Sequence, residues 1–524
     1  MKVLLLLATA LTVLTPFASF AQESDTRAEI RELREKLERL ERKLAADESV
    51  REKKAAEERA AITETVKKDV ISEVSAKGQS YFSKLIDQTK IGAYGSMRYG
   101  TSNLDDLHNT FTFRRFVMTV DAPIYERLKA YTELEFERFT SLELDKKLTR
   151  TSGGGLTSSV AIEGTHNSEI SMEQAWMQYD IADWLKFRGG AVLVPLGRFN
   201  INHDDNRWDL PRRSLVDRGA PVLPATAAWP ELGVGFLGDI PIGNTGKLSY
   251  QAYVMNGVAL NSEIEQIGQT RAGDTAKLAY EVEIKPNRGT FADDVKKGKS
   301  IGSRWAYSPW LGDEIAASFY WGRYTPDFLP NKPVFSVAID GKKTWGPFEI
   351  EGQYVNTQWS GVRGVARGLA QRAIASESEA EIGDVETEVE FELANLASRK
   401  QGYWVDFRYR FWPDILSKTI LGSHFAIPQL IATFRAEQVW FSGLLKSAAF
   451  TDGMLTDFRT ESRLLNRFTV GLTYRPVPLV ALQLAYEYTR TNQGKSLSSV
   501  TNFLPARSGE YFQNAILTGL TFGF

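Results

Sequence analysis

The chain has 524 residues, 43% of them hydrophobic and 24% charged, with 63 basic and 65 acidic side chains and a net charge of −2. That balance gives no pull toward nucleic acid, and the absence of cysteine excludes a disulfide framework, a thiolate metal site and a lipid-bearing cysteine. A mean hydropathy of −0.27, with no apolar run after the first residues that approaches the length of a spanning helix, excludes a helical membrane protein.

In chain order, Met1 and Lys2 precede an apolar run from Val3 to Leu14, followed by Ser19-Phe20-Ala21 with small residues at the positions a signal peptidase reads. This predicts a secretory signal peptide over residues 1–21, cut before Gln22. Residues 22–77 contain no Gly or Pro before Gly78 and are rich in Glu, Lys, Arg, Ala and Leu. Ile30, Leu33, Leu37, Leu40 and Leu44 step by three and four, which places them on the a/d seam of a short coiled coil. A single solvated helix is the alternative. If helical throughout, this arm would extend about 80 Å at 1.5 Å per residue. Residues 78–90 read as a linker.

From Ile91 the period changes to two. In Gln401 to Trp412, Tyr403, Val405, Phe407, Tyr409 and Phe411 share one face, and Asp406, Arg408 and Arg410 share the other. Strands of 10 to 15 residues with aromatics toward their ends suit a tilted membrane crossing with aromatic girdles. Sixteen such segments are predicted: 91–101, 108–122, 127–140, 168–181, 184–196, 231–242, 246–258, 298–309, 312–325, 333–341, 344–359, 400–414, 427–443, 462–476, 479–492 and 509–524. The second, fourth, sixth, eighth, tenth and fourteenth connections are tight, whereas the third, fifth, seventh and eleventh are long; the twelfth is longer than this asymmetry predicts. The whole reads as an all-β transmembrane barrel of about sixteen antiparallel strands over 91–524. An even strand count puts the helical segment on the short-turn, periplasmic side of a bacterial outer membrane. The terminal Phe524, with Phe522, Leu520 and Ile516 on its face, resembles the signal read by the barrel-assembly machinery, an expected partner along with outer-membrane lipid.

Four stretches carry a resemblance to a known family: Phe111-Thr112-Phe113-Arg114-Arg115-Phe116, the charged third strand after Tyr125-Glu126, Gly190-Ala191-Val192-Leu193-Val194-Pro195-Leu196-Gly197, and Arg212-Arg213-Ser214-Leu215. They resemble the phosphate-selective porins O and P, over about residues 91 to 524 and most strongly between 108 and 240. The resemblance implies a homotrimer of sixteen-stranded barrels in which the loop after strand five, here about 197–230, folds inward to narrow the pore. It implies passive diffusion of small hydrophilic solutes, with anions such as phosphate among them. The arm ahead of the barrel also looks like the layout of sucrose porins.

Read from the residues, that loop holds Arg198, Arg207, Arg212, Arg213 and Arg218, able to grip oxyanions bidentately, but also Asp204, Asp205, Asp209 and Asp217. Alternation turns Arg115, Arg408, Arg410, Arg435, Arg467 and Arg475 to the lumen as cations, and Glu133, Glu135, Glu137, Glu349, Glu351, Glu437 and Glu487 as anions. Arg115 is favoured over Arg114, because both face inward only at a bulge. Charges of both signs on opposite walls would set up a transverse field rather than an anion-only ladder. The barrel region carries 46 basic and 49 acidic residues, and an acidic cluster runs from Glu377 to Glu392. The four histidines, His108, His166, His203 and His424, show no triad or metal-ligand spacing, and no phosphate-binding glycine loop opens a helix. No enzyme, metal or cofactor is therefore expected. The rival to a channel is a structural barrel that spaces or tethers the membrane through its helical arm.

Overall fold

A computed structural model of the chain describes residues 85–103, 109–137, 142–150, 156–164, 169–219, 221–272, 275–287, 296–368, 385–390, 396–451, 454–492 and 511–524, with isolated positions between 35 and 64. The chain divides into a unit of Met1–Ile86 and a unit of Asp87–Phe524. In the first, Glu35, Lys36, Arg39, Lys53, Lys54, Glu57 and Glu64 are helical and exposed. The signal segment and the seam residues Ile30, Leu33, Leu37, Leu40 and Leu44 lie outside the described residues.

In the second unit the two-residue period becomes strand. β1 (Lys90–Ser102), β2 (Thr110–Tyr125) and β3 (Leu128–Glu137) form a meander. β4 (Leu142–Arg150) and β5 (Leu156–Gly164) pair only with each other, inside the third connection. β6 (Glu169–Ala182), β7 (Leu185–Leu193), β8 (Pro230–Ile242) and β9 (Gly246–Met255) continue the wall. A hairpin of β10 (Ala259–Ala272) and β11 (Thr275–Asn287) interrupts it. β12 (Ser300–Ser308), β13 (Glu314–Arg323), β14 (Pro333–Trp345) and β15 (Phe348–Trp359) resume it, β12 pairing directly with β9. After β16 (Val385–Glu390) come β17 (Ala397–Phe411), β18 (Gln429–Thr451), β19 (Met454–Val477), β20 (Val480–Thr491) and β21 (Phe512–Gly523).

Among these twenty-one strands, sixteen close an antiparallel barrel: β1–β3, β6–β9, β12–β15 and β17–β21. Closure is made by β1 against β21. Ala93 N–H donates to the Phe524 carbonyl at 3.1 Å, and Phe524 N–H returns a bond to Ala93 at 2.9 Å. The Phe522 ring lies over Gly95, where a Cβ would come within 2.6 Å of it, so the final strand meets the first at a glycine.

Each of the sixteen expected segments falls largely on one barrel strand, although β14, β18 and β19 run past theirs. The additions lie in the connections. β18 and β19 run on together to Thr451 and Met454, so the thirteenth connection is a long hairpin rather than a loop. β16 joins β11 in parallel and β18 antiparallel, tying three connections into a collar. The twelfth connection holds a short 3-10 turn, Asp414–Lys418.

Outward positions are apolar and uncovered. Ile315, Ile339, Val470, Phe236, Phe434 and Leu484 are all exposed. A belt of such side chains around a whole wall is untenable in water but stable in lipid. Trp184, Trp310, Trp345, Tyr409 and Tyr474 collect at the short-turn ends, where amphipathic rings suit a membrane interface. The closed ladder leaves no sheet edge to the hydrocarbon. This is a transmembrane barrel.

Candidate functional site

The fifth barrel connection, Val194–Trp229, turns into the barrel instead of away from it. Its apolar side chains Val194, Leu196, Phe199, Trp208, Leu215, Val216, Val222 and Trp229 are buried with wall residues such as Tyr253, Tyr320, Trp404 and Val439. A one-turn helix, Arg198–Ile201, starts it. Amides of Arg198 and Phe199 donate to Gln353 Oε1 at 2.7 and 3.0 Å, and Asn200 Oδ1 accepts from Trp229 N–H at 2.8 Å, closing the two ends together.

Charge pairs fix the loop to the wall, and they place the expected residues as follows. Arg115 is fully buried, with Nη1 2.5 Å from Glu135, Nη2 2.9 Å from Glu137 and Nε 3.1 Å from loop Asp205. Asp205 also accepts from Arg213 at 2.9 Å and from Ser96 at 2.7 Å. These partners outweigh its burial and hold its carboxyl far below the usual range. Arg212 meets Glu487 at 3.2 Å. Arg198 binds Glu314 at 2.6 Å and also Glu351. Arg408 contacts Asp406 at 2.5 Å, Glu349 at 2.7 Å and loop Asp209 at 3.3 Å, as well as Glu351. Arg435 holds Asp406 at 2.6 Å and donates to the Arg212 carbonyl at 3.2 Å. Arg410 stands half-open to water, 3.1 Å from Glu349. Among the described loop arginines Arg207, 3-10-turned beside Asp204, is the most open to water, with 59% of its side chain exposed. The side chain of Arg218 lies outside the described residues. Glu133 is buried, accepting from Gln174 at 2.6 Å.

Two expectations change. The charges do not face each other across the lumen: Glu349 and Glu351 on β15 meet Arg408 on the neighbouring β17, and Glu437 on β18 meets Arg467 on β19. A desolvated carboxylate is stabilised most by a cation within reach, so adjacent strands neutralise each other before a field can span the pore. The choice between Arg114 and Arg115 also dissolves. Ser96 pairs with Arg115 but Met97 pairs with Phe113, which leaves Arg114 at a bulge. Both arginines then point inward, and Arg114 lines a crevice with Arg98, Arg212, Arg213 and Asp205. Its volume of about 20 Å³ suits one water molecule.

Further contacts anchor the loop, most of them through residues named from the sequence, with Gln353 and Glu173 as side chains that sequence reasoning passed over. Asp209 accepts from Arg475 at 2.9 Å. Leu215 N–H donates to Glu437 at 2.7 Å. Gln353 donates to Asp217 at 3.0 Å. Glu173 is buried against His203 because β6 carries a second bulge, between the pairs Glu133–Gln174 and Leu134–Met172. Strict alternation gives no sign of either bulge.

No family model matches the chain. An uncharacterized protein of Aquifex aeolicus (strain VF5) is 26% identical over 240 residues, which are 42% of this chain and 48% of the relative, so the match spans about half of that relative. Among solved structures the chain is similar to a Salmonella typhi OmpF complex with daunomycin, at 11% identity and TM-score 0.44 over 83% of this chain and 97% of that one. It is similar to an anion-selective porin from Comamonas acidovorans, at 10% identity and TM-score 0.41 over 83% and 99%. The outer membrane channel DcaP of Acinetobacter baumannii stands at 11% identity and TM-score 0.40 over 83% and 97%. The architecture described here rests on the strand pairing, not on these likenesses.

Proposed function

We propose that this protein is an outer-membrane porin through which small hydrophilic solutes diffuse passively, anions such as phosphate among them. The observation that carries the reading is the closed sixteen-strand wall, apolar outside and polar inside, with a loop fastened within it. A barrel of that strand number leaves an aqueous channel unless something fills it, and the docked loop narrows the channel to the size of small solutes. Arg207, with Arg98 and Arg114 in the crevice nearby, supplies positive potential that is less fully cancelled than that of Arg115, Arg408 or Arg435. That favours a modest anion preference over a dedicated phosphate ladder. In the same reading the barrels assemble as homotrimers, as the resemblance to the phosphate-selective porins O and P implies, with the arm in the periplasm.

The deciding experiment is planar-bilayer recording of the purified protein under a salt gradient. Ohmic steps with a reversal potential on the anion side are expected. A barrel that inserts but shows no steps above background would overturn the channel and favour the tether.

A further inference from the structure

We propose that Glu133, Glu173 and His203 form a binding site for a divalent transition-metal ion that links the inward loop to the barrel wall. The proposal is independent of whether the barrel conducts. The three residues come from β3, from β6 and from the loop, and all are buried. Their ligand-capable atoms lie within 4.8 Å of one another.

The hydrogen bonding around the imidazole gives the argument its direction. His203 Nδ1 lies 3.1 Å from the Asn200 carbonyl, which can only accept, so the Nδ1 proton is committed there. Nε2 is then the atom turned to the carboxylates, 3.0 Å from Glu173 and 3.8 Å from Asp204. If Nε2 carries no proton, its lone pair and two carboxylates converging on one buried point repel, so either a proton or a metal ion must sit among them, and a metal ion would take the place of that proton. Arg115 fills the cation's role only in part: it is held by Glu135, Glu137 and Asp205 at 2.5 to 3.1 Å and pairs with Glu173 only at 3.8 Å, through Oε1 rather than the Oε2 that faces Nε2.

The surroundings have the features that orient metal ligands. A backbone carbonyl fixes the tautomer of a ligating histidine, and an amide steadies a ligating carboxylate. Here these parts are taken by Asn200 and by Gln174, which donates to Glu133 at 2.6 Å. The Tyr94 hydroxyl stands nearby with only long contacts, 3.4 Å to Glu133 and 3.5 Å to Asp204. The β6 bulge brings Glu173 inward beside Gln174, where an unbroken strand would have presented one of the two. Bulges of this kind re-aim side chains at functional sites. One imidazole nitrogen and two carboxylate oxygens, with positions left for water, suit Zn²⁺ or Mn²⁺. Bound there, the ion would fasten the first third of the loop to two wall strands at once.

The test uses the full-length protein in detergent, stripped with EDTA and titrated with Zn²⁺ by isothermal calorimetry, with Co²⁺ absorption as a second readout. One ion per chain is expected, lost in His203→Gln and in Glu173→Gln, and kept in Asp239→Asn, which alters an exposed carboxylate near a distant turn. Glu133→Gln leaves the His203–Glu173 pair intact and should fold even if the other variants do not; it too should lose the ion. Heat-modifiable migration on gels verifies that each barrel is folded. No Zn²⁺ uptake by the stripped wild type would mean that a proton on Nε2 alone balances the cluster, and would overturn the proposal. Undiminished uptake in folded Glu133→Gln and His203→Gln would place the ion elsewhere, for example among the acidic residues 377–392, and would overturn it equally.

Discussion

Truncating Trp208 to alanine should release the inward loop while leaving the barrel closed. The indole is 6% exposed. It stacks on Phe199 at 4.6 Å, meets the edge of Trp404 at 5.5 Å and donates to the Asn202 carbonyl at 2.7 Å. The guanidiniums of Arg408 and Arg435 lie 5.8 Å from its ring. A buried tryptophan removes roughly 200 Å² from water, which at ~25 cal/mol per Å² is about 5 kcal/mol. Measured truncations of buried aromatics fall around 3–5 kcal/mol. The Trp208 carbonyl still accepts from Arg475 and Gln483 in the variant, so part of the anchorage stays. A loss of ~4 kcal/mol in loop docking is therefore expected, and at about 1.4 kcal/mol per decade the undocked population rises nearly a thousandfold. Trypsin reports this directly, because Arg212 and Arg213, buried against Glu487 and Asp205, become substrates only when the loop leaves the wall. The variant should be cut within the loop while the barrel remains heat-modifiable, and single channels should be larger and noisier. An unchanged cleavage rate together with unchanged conductance would refute the view that aromatic packing holds the loop.

Loop docking should also depend on pH through Asp217, whose burial pushes its carboxyl up to about 7 although Ser214 and Gln353 donate to it. Its docked value lies above its free one, so docking is strongest below about pH 4, weakens as pH rises to 7 and is flat beyond; in melting curves from pH 4 to 8, Asp217→Asn should remove that slope. Arg207→Glu reverses a water-exposed cation of the loop and should move the reversal potential toward cations; an unchanged potential would place Arg207 outside the conducting path. Gly190 holds φ at +128° with the Ala175 carbonyl and Trp176 Cα where a Cβ would go. Gly190→Ala should cost ~1–3 kcal/mol of barrel stability, read as a lower melting temperature with the loop still protected from trypsin.

The barrel was legible because lipid enforces a simple rule: outward positions must be apolar, so period two survives in strands such as Tyr403–Phe411 and Val480–Tyr488. Where no lipid enforces it, the pattern fades. Leu142–Arg150 and Leu156–Gly164 pair as a hairpin, yet their sequences, LELDKKLTR and LTSSVAIEG, keep no sustained apolar face. The prolongation of β18 and β19 past Phe441 breaks register repeatedly, which hides it from a periodicity reading. In the candidate site, alternation names the face of a charge and nothing about its partner. It puts Arg408 and Glu351 on one face of their strands but cannot show that they touch. The bulges at Arg114 and Glu173 each shift a single residue, and no local signal marks them. His203 lies 30 residues from Glu173 and 70 from Glu133, so a search for metal-ligand spacing along the chain could not join them.

The long hairpin of β18 and β19 bears on how the protein meets its surroundings. Twenty-three residues at ~3.3 Å each make a strand of about 75 Å, and a tilt near 40° still leaves almost 60 Å of height against an apolar belt of ~25 Å. The twelve residues of β20 need little more than the belt itself. The hairpin therefore stands some 30 Å clear of the lipid on the side of the long connections, braced by β16 rather than waving free. Among the described residues, anything approaching from that side meets this mast as well as the mouth of the barrel. Variation at its tip could change what recognises the cell without altering a single contact in the lumen.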